Sequence, residues 1–390
     1  MTSAEERSAG RRARMDRVRA RMAELGVDAL LLSHGADLPW LTGYRAMPLE
    51  RVTLLVLPKD GEPVLLVPEL EAPRVPDPAG TFQVRPWSET EDPLALAAAQ
   101  ISRLGRLAVS DRAWAATLLG LQDRLPSASF VAASAVTSPL RAVKDEVEIA
   151  ALRAAGAAAD RVAAALQRGE ITVAGRTERQ VSDDIGARLL AEGHRQVNFA
   201  IVGSGPNGAS PHHDAGERRI GDGDVVVCDF GGELVLDAGG GAGGGPVEGE
   251  AEVGYCSDIT RTVSVGEPSA EVAECYAVLH EAQAAGVRAA VAGTTAEEVD
   301  RAARAVIEAA GLGERFIHRT GHGIGIEEHE DPYLVAGNRT VLVPGNAFSV
   351  EPGIYFPGRF GMRLEDIVVV TPDGPEALNG ADHSLVVVGG

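Results

Sequence analysis

The sequence predicts two domains: an α/β domain, then an α+β domain in which helices cover an antiparallel sheet. Three observations predict this. The chain has 390 residues, more than one ordinary domain holds, and 45% of them are hydrophobic, enough for two cores. In the first third, short apolar runs alternate with helical periodicity, the order of an α/β domain. Beyond it, helix pairs and strand runs follow one another in blocks, the order of an α+β domain. The Ser138-Pro139 pair breaks the pattern between the two, so the domains are expected at 1–138 and 139–390.

Taken in order, residues 1–13 read as a frayed tail. Met15, Val18, Met22 and Leu25 then recur at helical spacing, and Gly26 is placed to stop that helix. Val27–Leu32 is a short apolar strand. Thr53–Leu57 and Val64–Val67 flank Lys59-Asp60-Gly61-Glu62, which signals a hairpin. Leu107–Ser110 and Phe130–Ala133 are further short strands. In the second domain a long Ala-rich helix runs over Asp145–Gln167. The next helix opens on a capping box, Thr177 and Gln180, and a later one on Thr295 and Glu298. A further helix covers Ser269–Val291. Strand runs occupy Phe199–Val202, Val225–Phe230, Thr260–Val265, Phe348–Glu351 and Asp366–Val370. The stretch 237–249 is almost side-chain-free and reads as a mobile surface loop. Its acidic flanks and the lack of a following Gly-Lys-Ser/Thr exclude a phosphate loop.

Composition narrows the function. A net charge of −20 argues against nucleic acid, whose phosphates attract basic surfaces. No long uncharged apolar run suggests a membrane span, and the N-terminus lacks the apolar segment of a signal peptide. Three cysteines with no Cys-x-x-Cys pair point to free thiols in a reducing compartment, so the cytoplasm is the expected location.

The chemistry concentrates in His318-Arg-Thr-Gly-His322-Gly-Ile-Gly-Ile-Glu-Glu-His329-Glu330, with three histidines among close-spaced glycines. The alternation of Gly323 and Gly325 with Ile324 and Ile326 reads as a tightly packed strand. Four further strand runs carry an acid: Asp229 in Val-Cys-Asp-Phe-Gly, Asp258 in Ser-Asp-Ile-Thr-Arg-Thr, Glu351 in Val-Glu-Pro-Gly and Glu365 in Arg-Leu-Glu-Asp. Singly, each is a strand-end acid or half of an ion pair. As a set they outnumber the neighbouring cations, Arg261 and Arg363. Carboxylates with one imidazole suit divalent ions such as Mn²⁺, Co²⁺ or Zn²⁺, and four carboxylates can hold two ions.

These residues, in this order, resemble the five metal ligands of the pita-bread metallopeptidases, the family of aminopeptidase P, prolidase and methionine aminopeptidase, with creatinase as a metal-free relative. The first domain resembles the creatinase-type N-terminal domain, including Leu41-Thr-Gly-Tyr44. The resemblance implies a pita-bread catalytic domain and two divalent metal ions, manganese foremost, with cobalt or zinc as alternatives. It implies Asp229, Asp258, His322, Glu351 and Glu365 as metal ligands. A hydroxide attacks the peptide carbonyl in that scheme, and Glu351 accepts and relays the proton. His212, His318 and His329 match the family's non-ligand histidines, which position substrate and stabilise the tetrahedral intermediate. Arg363 and Tyr355 match positions on the substrate side. The spacing departs from the family pattern, because 28 residues separate Asp229 from Asp258, the excess being the Gly-rich stretch.

The expected activity is hydrolysis of Xaa-Pro bonds at the N-terminus of peptides, as in aminopeptidase P, with Xaa-Pro dipeptidase (prolidase) as the alternative. Metal-free C–N hydrolysis as in creatinase and a non-catalytic binding role conflict with a complete ligand set, whereas hydrolysis of another small amide stays open, because the metal site alone does not name the acyl group. The expected partners are a proline-containing peptide and further copies of the chain, as homodimer or homotetramer, with no nucleic acid and no membrane.

Overall fold

The computed structural model describes residues 3–101, 105–236 and 253–389. The chain forms two compact units, the first spanning Met1–Arg141 and the second built mainly from Ala142 onward. The expected boundary, between 138 and 139, falls inside a helix of the first unit.

The first unit runs α1 (Ser3–Leu25), β1 (Ala29–Leu32), α2 (Asp37–Thr42), β2 (Leu54–Pro58), β3 (Val64–Pro68), β4 (Gln83–Trp87), α3 (Pro93–Ala99), β5 (Arg106–Val109), α4 (Ala115–Arg124), β6 (Ser129–Ala132) and α5 (Ser134–Arg141). Its sheet has the order β4-β3-β2-β1-β5-β6, and the predicted hairpin is the antiparallel β2–β3 pair. Leu31, Val56, Leu66 and Leu107 form its core with Leu121 of α4. Two expectations fail here. The tail is helical from Ser3, because Arg11 and Arg12 reach the carbonyls of Asp77 and Ala79 and tie α1 to that loop. Pro139 lies inside α5 rather than at a break. The helix survives it because Asp37 accepts from Thr137 and Arg141 on either side, at 3.0 and 2.9 Å.

The second unit runs α6 (Glu146–Gln167), α7 (Glu178–Ala191), β7 (His194–Ser204), β8 (Val225–Leu234), β9 (Tyr255–Val265), α8 (Ala270–Ala289), α9 (Ala296–Ala309), β10 (Gly321–Gly323), β11 (Glu330–Leu334), β12 (Ala347–Val350), β13 (Gly353–Phe356), β14 (Phe360–Arg363), β15 (Asp366–Thr371), β16 (Gly374–Ala377) and β17 (Val386–Val388). Capping boxes start α6, α7 and α9 at Asp145, Thr177 and Thr295. Strands order as β17-β9-β8-β7 in one sheet and β11-β10-β12-β15-β16 in another, with β13–β14 as a separate pair. An isolated bridge, Thr260 to Glu365, joins β9 to the start of β15.

Strand alternation decides where the acids point. Val226, Cys228 and Phe230 of β8, with Ile259 and Val263 of β9, pack against Val162, Leu166, Val181 and Ile185 of α6 and α7. Asp229, between Cys228 and Phe230, and Asp258, next to Ile259, fall on the opposite face. Phe348 and Val350 of β12 pack with Val299 of α9 in the same way, which turns Ser349 and Glu351 from that core. Asp229 lies opposite Thr260, and Gly231 opposite Asp258, so the β8–β9 pairing is regular despite the long connection. The Gly-rich stretch 237–249 lies outside the described residues. The run expected as a strand through Ile326 is one only as far as Gly323. The chain then turns, with the Gly325 N–H donating to the Glu327 carbonyl at 3.0 Å.

Candidate metal centre

Ligand atoms of Asp258, His322 and Glu365, all buried, lie within 4.8 Å of one another. His322 Nε2 faces both Asp258 Oδ2, at 3.7 Å, and Glu351 Oε1, at 3.2 Å. Its ring is set by neighbours: Nδ1 lies 3.1 Å from the Gly323 carbonyl, and the backbone N–H donates to Ser349 Oγ at 3.0 Å. Ser349 Oγ in turn donates to Glu351 Oε1 at 3.1 Å. Asp229 joins through Arg363, whose Nη2 donates to its Oδ2 at 2.5 Å. Thr260 Oγ1 accepts from Arg363 Nε at 3.1 Å and donates to Glu365 Oε2 at 2.6 Å.

The electrostatics leave a deficit of positive charge. Burial, with the charges of Glu365, Asp229 and Glu351, pushes the Asp258 carboxyl well above its ordinary range. Burial and the charges of Glu351 and Asp229 do the same to Glu365. Burial also raises Asp229, against the pull of Arg363. For Glu351 burial pushes upward, but the hydrogen bond and charge of His322 outweigh it and hold the group at about 2. Three buried oxygens, Asp229 Oδ1, Asp258 Oδ1 and Glu365 Oε1, meet no hydrogen-bond donor among the described residues. Buried anionic oxygens without partners are costly, and crowded carboxylates raise the cost. Divalent cations remove both penalties, and an oxygen-rich set with one imidazole is a donor set that such ions take. The residues therefore fit a metal. The cysteines are not among the clustered ligand atoms: burial raises Cys228 to about 12, and all three cysteines are free and buried.

A family model for metallopeptidase family M24 matches residues 150–236 and 247–372, and one for the creatinase/prolidase N-terminal domain matches residues 14–143. The chain belongs to metallopeptidase family M24. Its second unit is thus a pita-bread catalytic domain, preceded by a creatinase-type domain, and the protein is a metallopeptidase, a hydrolase that works with divalent metal ions. It is 48% identical over 373 residues to a probable dipeptidase PepE of Mycobacterium tuberculosis, covering 95% of this chain and 94% of that one. It is 35% identical over 387 residues to an Xaa-Pro dipeptidase of Lactobacillus helveticus, covering 96% and 98%. The crystal structure of dipeptidase PepE from Mycobacterium ulcerans superposes with a TM-score of 0.86 at 44% identity, covering 98% of both chains. No helix among the described residues is long and apolar enough to cross a membrane.

The residues expected on the substrate side divide into accessible and committed groups. His212 is exposed. His329 is exposed too, with its ring 4.0 Å from that of His322, and partial burial and the His322 charge lower it to about 4. His318 is lowered by burial, and both its nitrogens are engaged: Nδ1–H with the Arg319 carbonyl at 2.7 Å, and Nε2 with the Tyr355 hydroxyl at 2.9 Å. Tyr355 is buried and its hydroxyl accepts from Arg363 Nη1 at 2.8 Å. The five N–H groups of Arg363 have matching acceptors in Thr260, Tyr355, Asp229 and the Pro211 carbonyl. Arg363 therefore acts first on Asp229 and Tyr355.

Sequence reasoning passed over Thr260 and Ser349. Each sits two residues from a ligand-position acid, Asp258 or Glu351, so period-two alternation places it on the same face. It also missed Lys144, whose ammonium is paired with Glu330 in the interior. Arg261 turns away from the cluster and pairs with Asp366 at 2.8 Å.

Proposed function

We propose that this chain is a dinuclear-metal Xaa-Pro dipeptidase. The observation that carries the reading is the buried carboxylate cluster with three unpartnered oxygens, in a chain similar throughout its length to enzymes named dipeptidases. Those names favour the dipeptidase alternative over the aminopeptidase P-like activity expected from the sequence. Asp229, Asp258, His322, Glu351 and Glu365 are the proposed ligands of two ions, with Mn²⁺ the first choice. When bound, such ions supply Lewis acidity that polarises a carbonyl and acidifies water.

The chain's own residues do the rest. Glu351, ionised and steadied by Ser349, receives the proton released in hydrolysis. His212 and His329, accessible imidazoles, position the peptide and stabilise charge on its carbonyl oxygen. His318 makes its substrate contact by exchanging Tyr355 for the peptide. Arg363 holds Asp229 and Tyr355 in place along the wall that faces proline.

A length series tests the reading. Metal-reconstituted protein is assayed on Xaa-Pro dipeptides, on Xaa-Pro-Yaa peptides and on matched dipeptides without proline. Hydrolysis of Xaa-Pro dipeptides alone is the expected result. Equal turnover of longer peptides returns the assignment to an aminopeptidase, and indifference to proline removes the Xaa-Pro specificity.

A further inference from the structure

The first residue of α7, Glu178, has no evident part in the chemistry, yet it is fully buried. Its carboxylate accepts from five donor groups, on the last residue of β7 and on the segment that links β7 to β8. Oε1 accepts from the Ser204 N–H at 2.9 Å and the Ser204 hydroxyl at 2.6 Å. Oε2 accepts from His213 Nε2 at 2.8 Å and from the Gly216 N–H at 3.3 Å. Asn207 Nδ2 reaches both oxygens, at 3.1 and 3.0 Å. One carboxylate thus gathers the start, the middle and the end of residues 204–216. Within that segment lie the exposed His212 and the Pro211 carbonyl, which faces Arg363 Nη1 and Nη2 at 3.4 Å. The segment is also pinned against β14, where a Cβ on Gly361 would overlap the Gly208 carbonyl.

A loop holds an exposed catalytic side chain accurately only when its backbone has partners that fix it. Few of those partners come from regular pairing here, since Gly205–Ala209 is a short 3-10 turn followed by irregular chain. Charge-assisted bonds to a buried carboxylate are the strong kind. The ionised state is favoured as well: burial pushes Glu178 upward, but the bonds from Ser204, His213 and Asn207 outweigh it and lower the group.

We propose that Glu178 is a positioning residue, which clamps the Ser204–Gly216 segment and so fixes His212 and the Pro211 carbonyl beside Arg363. The inference rests on the role given to His212 in the proposed function, and its test separates the two. Glu178→Gln keeps the shape but turns one acceptor into a donor facing the donors of the segment. Hydrogen–deuterium exchange of the full-length variant is expected to rise in peptides from 204–216 and to stay unchanged in α6 and β8. Unchanged exchange in 204–216 overturns the proposal, whatever the activity.

On an Xaa-Pro dipeptide, Glu178→Gln is expected to lower kcat/KM on the order of 10- to 100-fold, the size of effect that a small misplacement produces. In a His212→Ala background the same change is expected to cost less than about twofold, since coupled residues are not additive. Equal losses in both backgrounds overturn the proposal, because Glu178 would then act on the fold at large. Full activity in His212→Ala alone refutes the role of His212, while the exchange result still decides the clamp. If Glu178→Gln does not fold, Asn207→Ala, which removes one donor group, is read in the same way.

Discussion

Acid sensitivity is expected from His194, a buried histidine outside the carboxylate cluster. Its ring bonds the Leu189 carbonyl through Nδ1 at 3.0 Å and the Ser257 hydroxyl through Nε2 at 2.8 Å. Burial lowers its pKa from 6.5 to about 4. The unfolded chain therefore binds a proton between pH 6.5 and 4 that the folded chain does not. Stability rises with pH wherever the unfolded state holds more protons, so this contribution is present above pH 6.5 and is lost as pH falls toward 4. The shift spans about 2.5 units, and at about 1.4 kcal/mol per unit the loss is about 3 kcal/mol, of which about 2 kcal/mol is gone by pH 5. Asp258 and Glu365 also titrate, with shifts of the opposite sign, so the measurement is a difference. Denaturant melts of the wild type and of His194→Gln are compared at pH 7 and at pH 5. The stability of the wild type over the variant is expected to shrink by about 2 kcal/mol. A constant difference between those pH values would refute the argument, because His194 would then titrate alike in both states.

Two substitutions probe the surroundings of the cluster. Arg363→Met removes the cation from Asp229 and leaves a buried charge without its partner, so unfolding free energy is expected to fall by about 3–5 kcal/mol in denaturant melts. A loss under about 1 kcal/mol would show that Asp229 takes up a proton instead. Gly361→Ala puts a methyl group into the Gly208 carbonyl, and a loss of about 1–3 kcal/mol is expected, with lower activity because the His212 segment is displaced. Unchanged stability and activity would contradict the close backbone approach between β14 and that segment.

The candidate ligands were legible in the sequence because each acid interrupts or ends an apolar strand run. The capping boxes at Thr177 and Thr295 were legible because a cap is a local event, read from a few adjacent residues. What was not legible depends on distant partners. The helix around Pro139 needs Asp37, roughly a hundred residues away in the chain. Strand β4 alternates exposed and half-buried positions and contains Pro86, so it carries little apolar signal and forms by pairing with β3. Arg363 reads as one of two cations beside the acids and as a substrate-side residue, and only the fold shows its donors taken up by Asp229, Thr260, Tyr355 and Pro211. His318 is expected on the substrate side, and only the fold places Tyr355 and the Arg319 carbonyl on its nitrogens.

The proposed dipeptide hydrolysis requires that the buried acids hold two divalent ions. Its most direct test is the metal stoichiometry of purified, chelator-treated protein titrated with Mn²⁺, followed by calorimetry and by melting temperature. Two ions per chain are expected, with a rise in stability on loading of about 2.7 kcal/mol at a hundredfold excess over Kd. Both are expected to be reduced in His322→Ala. No binding, or binding that His322→Ala leaves untouched, would contradict it.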